Sequence, residues 1–175
     1  MRIQNLLGIA SLALFAAYPS LAAGTKSAHV EIKNAQGTKI GTAKIKSTAG
    51  GVKVDVKVSQ LTSGEHGIHI HNVGKCEGPA FTTAGGHFNP TSAHHGVNNT
   101  ETPHPHVGDL ANLNVGQNGK ASASFTVSGA TLEDGATSLF HEGGTSLVIH
   151  AKADDLKSDP SGNSGDRIAC GVIEK

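Results

Sequence analysis

The sequence predicts an all-β domain in which short antiparallel strands form a sandwich or a barrel. Valines alternate with polar residues over positions 52–58, which is typical of a strand with one buried and one wetted face. Turn-forming pairs such as Gln36-Gly37 and Asn118-Gly119 separate these segments at the spacing of hairpins. The chain also lacks any long stretch with the period of an amphipathic helix.

Each predicted strand has its own apolar pattern. Val30 and Ile32 alternate in the first, Ile40 and Ile45 are core candidates in the second, and Phe125 belongs to an alternating set in a later one. In chain order, the predicted strands cover residues 26–33, 38–46, 52–58, 68–71, 120–128, 146–152 and 168–173.

Two segments interrupt this regularity, at residues 72–107 and 154–167. The first is rich in Gly, Pro, Asn, Thr and His and has no strand pattern. Loops longer than about 15 residues are uncommon in compact domains unless they are functional or disordered. Because the first segment holds several histidines and a cysteine, we expect a metal ion and a disulfide to order it.

Residues 1–23 are predicted to be a cleaved signal peptide. Met1-Arg2 is a short basic start, an apolar stretch follows at residues 6–18, and Ala22-Ala23 supplies small residues for cleavage. The stretch is shorter than the roughly 20 apolar residues that span a bilayer, which disfavours a membrane anchor. We therefore expect an exported single domain at residues 24–175 that does not associate with a membrane after cleavage.

The formal net charge of +0 argues against a nucleic-acid partner and leaves only local electrostatic steering. The chain has two cysteines, Cys76 and Cys170. Export to an oxidising compartment favours a disulfide between them, and two free buried thiols are the alternative.

The histidines predict a metal site. Residues two apart in a strand point to the same face, so His69 and His71 would direct two imidazoles to one place. Two imidazoles held by a stiff backbone are half of a copper or zinc site. Later histidines could complete it, and these are His87, His94, His95, His104, His106 and His150.

Five blocks of the sequence resemble the copper/zinc superoxide dismutase family, in the order in which that family carries them. They are residues 69–71 (HIH), 86–90 (GHFNP), 106–110 (HVGDL), 148–156 (VIHAKADDL) and 162–173 (GNSGDRIACGVI). The last two blocks are highly specific, and together the matches extend over most of the mature chain. The long cysteine-bearing loop and residues 140–144 (FHEGG) resemble the bacterial exported members.

The resemblance implies a Greek-key antiparallel β-sandwich, or flattened barrel, of about eight strands with two long functional loops. It implies disproportionation of superoxide in the periplasm, with one copper and one zinc per subunit, in a monomer or a homodimer. The implied copper ligands are His69, His71, His87 and His150. The implied zinc ligands are His87, His95, His106 and Asp109.

Four further roles follow from the resemblance. His87 would bridge both metals, and a bridging imidazole that is released on one side can take up a proton. Arg167 would stand at the mouth of the copper site, where a guanidinium attracts a small anion such as superoxide. Asp154 would hydrogen-bond a ligand histidine on each side. Cys76 and Cys170 would be the family disulfide, which ties the metal loop to the last strand.

Some assignments have alternatives. His94 could replace His95, and His104 could replace His106, although family spacing and the VGD context favour His95 and His106. Three histidines match no ligand position: His29, His66 and His141. The alternative function is a non-catalytic copper-binding or copper-delivery domain on the same fold, since a fold by itself does not determine activity.

Overall fold

The structure is a computed structural model and describes residues 26–175. The predicted signal peptide, residues 1–23, lies outside the described residues. Within residues 26–175, none of the helical segments has the length and apolar character needed to cross a membrane.

The regular secondary structure of the described chain is almost entirely β-strand, as predicted. Its regular helical structure is limited to one short 3-10 turn, Thr82–Ala84. The strands are β1 (Ser27–Asn34), β2 (Lys39–Thr48), β3 (Gly51–Val58), β4 (Gly64–His66), β5 (Ile68–His71), β6 (Leu113–Val115), β7 (Ala121–Ser128), β8 (Ser146–His150) and β9 (Arg167–Glu174).

Seven of these strands form one antiparallel sheet in the order β5-β8-β9-β1-β2-β3-β7, and β4 pairs with β6. Neighbours such as β9 and β1, or β3 and β7, are far apart in sequence, so the connections cross the ends of the sheet as in a Greek key. The sheet curls into a half-barrel. This confirms the predicted fold class.

Alternation of side chains builds the core. On β3, Val54 and Val56 are fully buried, whereas Lys53 and Lys57 lie in solvent on the opposite face. The register places Val54 between Ile45 of β2 and Phe125 of β7, so the apolar faces of three strands meet. Each pair of neighbouring strands therefore contributes to the same apolar layer.

The strand β5 differs because all four of its residues are buried. Ile68 and Ile70 join the apolar core. His69 and His71 point to the other face, where the two long loops cover them. These loops connect β5 to β6 and β8 to β9, and they pack on each other, since the Asn98 N–H donates to the Leu156 carbonyl at 2.9 Å.

A disulfide between Cys76 and Cys170 anchors the first loop to β9, with a Cα–Cα distance of 5.6 Å. The predicted pairing is thus confirmed, and residues 26–175 contain no free cysteine. Cys170 is buried and packs with Phe81, Ala84 and Val148, so the bridge holds the start of the loop against β8 and β9.

We expect replacement of both cysteines by serine to lower the free energy of unfolding by about 4–5 kcal/mol, because the bond closes a loop with a sequence separation of 94. Urea denaturation of the metal-free C76S/C170S variant and of the oxidised metal-free wild type measures the difference. Equal midpoints and slopes for the two proteins would contradict a stabilising role.

Candidate metal centre

Four buried histidines converge where the sheet meets the two long loops. His69 and His71 come from β5 and His150 from the end of β8, and the antiparallel pairing of these strands brings them to one edge. His87 comes from the first loop, where a backbone bridge places it beside His71. One donor atom from each of these histidines lies within 4.8 Å of the donor atoms of the others.

Hydrogen bonds on the outer side of this cluster set the ring tautomers. His71 Nδ1 donates to the Gly85 carbonyl at 2.9 Å, and His150 Nδ1 donates to the Gly165 carbonyl at 3.1 Å. Because a carbonyl can only accept, each of these rings carries its proton on Nδ1 and keeps a lone pair on Nε2. His69 has the opposite arrangement, since its Nε2 donates to Asp154 Oδ2 at 2.6 Å.

The remaining ring nitrogens of the cluster are buried and have no hydrogen-bond partner. They are His69 Nδ1, His71 Nε2, His87 Nε2 and His150 Nε2. A buried polar atom without a partner costs about 1–3 kcal/mol. A metal ion that prefers imidazole ligands, such as copper, would satisfy all of them at once. The donor set therefore fits copper.

A second cluster shares His87 with the first and adds His95, His106 and Asp109. Asp109 Oδ1 accepts from Nδ1 of His87, His95 and His106 at 2.8, 3.0 and 3.1 Å. Asp109 Oδ2 accepts from the backbone N–H groups of Gly96 and His106 at 2.8 and 3.1 Å. Three imidazoles and one carboxylate supply four donor atoms, a set that fits structural zinc.

Asp154 connects the two clusters. Its Oδ2 accepts from His69 Nε2 at 2.6 Å, and its Oδ1 accepts from His95 Nε2 at 3.0 Å. Its side chain is 1% exposed, and the Leu156 N–H also donates to Oδ1 at 2.6 Å. A single carboxylate thereby orients one ring of each cluster.

Burial and hydrogen bonding give the two clusters different protonation states. In the first cluster, burial lowers the pKa of His69 to about 3, of His71 to about 2 and of His150 to about 4. These rings are neutral at pH 7, which is the form that binds a metal ion.

The second cluster has a charged carboxylate. Burial tends to raise the pKa of Asp109, but hydrogen bonds from His106, His87 and His95 outweigh it and hold the pKa well below its usual value. Burial likewise opposes protonation of His95, but its hydrogen bonds to Asp109 and Asp154 prevail and raise its pKa to about 9. Because a ligand imidazole must be deprotonated, binding of zinc here would release a proton.

Arg167 lines a cavity of about 390 Å³ together with His71, His87 and His150. Its Nη1 donates to the Phe81 carbonyl at 2.8 Å, and its Nη2 donates to the Gly85 carbonyl at 2.7 Å. Gly85 therefore holds both Arg167 and His71 through one carbonyl. The guanidinium is thus fixed beside the open side of the first cluster.

The structure separates the neighbouring histidines that the sequence left as alternatives. His95 lies in the second cluster, whereas the partly exposed His94 interacts through Nδ1 with Asp159 Oδ2 at 2.8 Å. His106 belongs to the second cluster, and His104 is not in either cluster of residues 26–175.

Three other histidines lie outside the clusters. His66 is buried, and its ring nitrogens lie 2.7 Å from the His150 carbonyl and 3.0 Å from the Thr62 carbonyl. His141 stacks on Phe88 with a centroid distance of 5.5 Å, and the exposed His29 lies near Glu174.

No sequence pattern indicated the Gly85 and Gly165 carbonyls or the side chain of Asn112. The carbonyls orient metal-site rings, and Asn112 hydrogen-bonds the Asp154 backbone. A backbone carbonyl can belong to any residue, so its role has no signature in the sequence. The one available signal is the pair of glycines at 85–86, which is typical of a turn and directly precedes His87.

Comparisons with known proteins identify the family of the chain. A sequence model of the family "Copper/zinc superoxide dismutase (SODC)" matches residues 39–173. "Superoxide dismutase [Cu-Zn] 1" of Aquifex aeolicus (strain VF5) is 45% identical over 148 residues, which cover 83% of this chain and 86% of that protein.

Solved structures are also similar. The crystal structure of a SOD-like protein from Bacillus subtilis has a TM-score of 0.78 and 39% identity, covering 82% of this chain and 96% of that one. Cu/Zn superoxide dismutase from Brucella abortus has a TM-score of 0.67 and 30% identity, covering 85% of this chain and all (100%) of that one. The sequence model covers most of the domain, and the relatives match over nearly their whole length. The chain therefore belongs to the copper/zinc superoxide dismutase family.

Proposed function

We propose that this protein disproportionates superoxide to dioxygen and hydrogen peroxide at a copper site that shares one histidine with a zinc site. His69, His71, His87 and His150 would hold copper, and His87, His95, His106 and Asp109 would hold zinc. The observation that carries the proposal is the group of four buried imidazole nitrogens that have no hydrogen-bond partner. The cluster to which they belong lies next to the cluster of three imidazoles and one carboxylate, and His87 belongs to both.

Bound copper would supply one-electron redox chemistry, and bound zinc would hold the second cluster together. The reaction consumes two protons for every two superoxide ions. His87 is suited to deliver one of them, since its Nε2 faces the first cluster while its Nδ1 faces Asp109. A proton taken up at Nε2 when this nitrogen is not bound to copper would lie at the cavity that Arg167 lines, and solvent supplies the other.

Arg167 would bind and orient the anionic substrate. Two backbone carbonyls hold the guanidinium at the cavity rim, so little side-chain freedom is lost when an anion binds. Because the net charge of the whole chain is +0, attraction of superoxide must come from such local charges.

We also propose that the protein is exported and works in the periplasm. The signal-peptide pattern at residues 1–23 supports this, and so does the disulfide, since such bonds persist in oxidising compartments. Several relatives are bacterial copper/zinc superoxide dismutases.

The alternative of a non-catalytic copper-binding domain is less favoured. A protein that only stores or delivers copper needs neither a second cluster on the same histidine nor a fixed guanidinium beside the first. Both features are present, in the shared His87 and in the carbonyl-held Arg167.

The activity can be tested on the oxidised mature protein after it has been loaded with copper and zinc. We expect it to remove superoxide at a rate proportional to its copper content. Protein carrying zinc alone is the matched control and should be inactive. Full copper occupancy without superoxide disproportionation would overturn the proposed activity and favour the binding-only alternative.

The two metal assignments can be separated with His87 and His150. We expect His87→Ala to lose both metals and His150→Ala to lose chiefly copper, because only His87 belongs to both clusters. Metal analysis after reconstitution and dialysis measures the occupancies. Equal zinc loss in the two variants would refute the shared-ligand assignment.

The role of Arg167 is tested by a neutral variant. We expect Arg167→Gln to slow the reaction about tenfold or more and to weaken its ionic-strength dependence, with both metals still bound. Lys57→Gln removes the same charge from the exposed face of β3 and should react like the wild type. Arg167→Lys keeps the charge without the planar fork and should be intermediate. If Arg167→Gln and Lys57→Gln have the same rates, Arg167 does not guide the substrate.

A further inference from the structure

The side chain of Asn112 makes a two-point contact with the backbone of Asp154. Its Nδ2 donates to the Asp154 carbonyl at 2.8 Å, and its Oδ1 accepts from the Asp154 N–H at 2.8 Å. Asn112 lies just before β6, 42 residues away from Asp154 in sequence. One amide thus satisfies both backbone hydrogen-bonding groups of a loop residue, as a neighbouring strand would.

Two parallel hydrogen bonds fix direction as well as distance. A single bond would leave the Asp154 backbone free to rotate about it, whereas the pair holds the peptide groups on both sides of Cα. The carboxylate that projects from this Cα reaches His69 Nε2 and His95 Nε2 at 2.6 and 3.0 Å. Hydrogen bonds of this kind weaken steeply when their geometry is disturbed.

The opposite side of Asp154 is equally confined. Gly162 has a φ of +61°, and a Cβ at this position would overlap Asp154 Oδ1 and lie 2.7 Å from His95 Nε2. A glycine here leaves room for the hydrogen bond between Asp154 and His95. Asn112 therefore holds the backbone of Asp154 in place while Gly162 leaves space for its carboxylate.

We propose that Asn112 is a positioning residue that acts on both metal sites through Asp154. The proposal rests on the ligand sets proposed above, because Asp154 hydrogen-bonds one ligand of each set. Partners that orient metal-bound histidines change metal affinity by about 10–100-fold when they are removed. Asn112 acts on such a partner through its two hydrogen bonds to the Asp154 backbone.

Loss of Asn112 should affect zinc more than copper. His71 and His150 lie on strands, and backbone carbonyls in other segments orient them. His95 instead lies in the long loop, and its Nε2 donates to Asp154. The zinc set thus loses the orientation of a loop-borne ligand, whereas the copper set retains two ligands held independently of Asp154.

The test is a double-mutant cycle on zinc affinity, measured by competition with a chromophoric chelator. We expect Asn112→Ala to weaken zinc binding about tenfold and Asp154→Ala to weaken it at least as much. In the Asp154→Ala background, Asn112→Ala should have no further effect, because the carboxylate that it positions is absent. Asn118→Ala, which removes a side chain–backbone hydrogen bond in an exposed turn, is the matched control and should bind zinc normally.

An isosteric variant keeps the test decisive if Asn112→Ala does not fold. Asn112→Asp retains the volume and the acceptor but loses the donor to the Asp154 carbonyl, so it should also weaken zinc binding, and only when Asp154 is present. Unchanged zinc affinity in a folded Asn112 variant would overturn the proposal. An equal loss of zinc affinity in the presence and absence of the Asp154 carboxylate would also overturn the proposal, since that result indicates general loop destabilisation. Failure of the proposed function would instead be seen in the wild type, as absent activity or absent metal.

Discussion

The structure depends on the burial of six imidazoles and two carboxylates in one small region between the sheet and the loops. Polar groups removed from water destabilise a fold unless each finds a partner. Here the partners are shared: Asp109 accepts from three rings, and Asp154 accepts from two. Within the two clusters, the buried ring nitrogens without a partner all belong to the four histidines of the first cluster. The need to satisfy these groups explains why both long loops are ordered over the sheet edge.

The proposed ligands divide into two classes according to the segments that hold them. His69, His71 and His150 belong to paired strands, whose registers are fixed by the apolar core on the opposite face. His87, His95, His106 and Asp109 belong to a loop and need other constraints. The disulfide from Cys76 supplies one, and backbone contacts between the loops supply others. The proposed copper cluster is therefore the more preorganised of the two, while the proposed zinc cluster depends on how the loops dock.

Sequence patterns were informative wherever periodicity or local motif carries the structural signal. The alternating valines of β3 predicted a strand with one buried face, and that strand is present with Val54 and Val56 in the core. β4 and β6 were missed because strands of three residues are too short to show alternation. The strand predicted at 146–152 ends at His150, where the chain turns into the loop that holds Asp154.

Alternation, composition and the family blocks are local properties of the chain, and they were enough to predict the fold class, to favour a disulfide between the two cysteines and to identify the candidate ligands. Family spacing and the VGD context favoured His95 over His94 and His106 over His104, and the three-dimensional arrangement decided between them, since neighbouring loop residues differ in direction and not in chemistry. The tertiary structure alone showed that Gly85 serves both Arg167 and His71, and that Asn112 holds Asp154. These contacts join backbone groups to residues far away in the chain, and a backbone group has no residue type by which a sequence could reveal it.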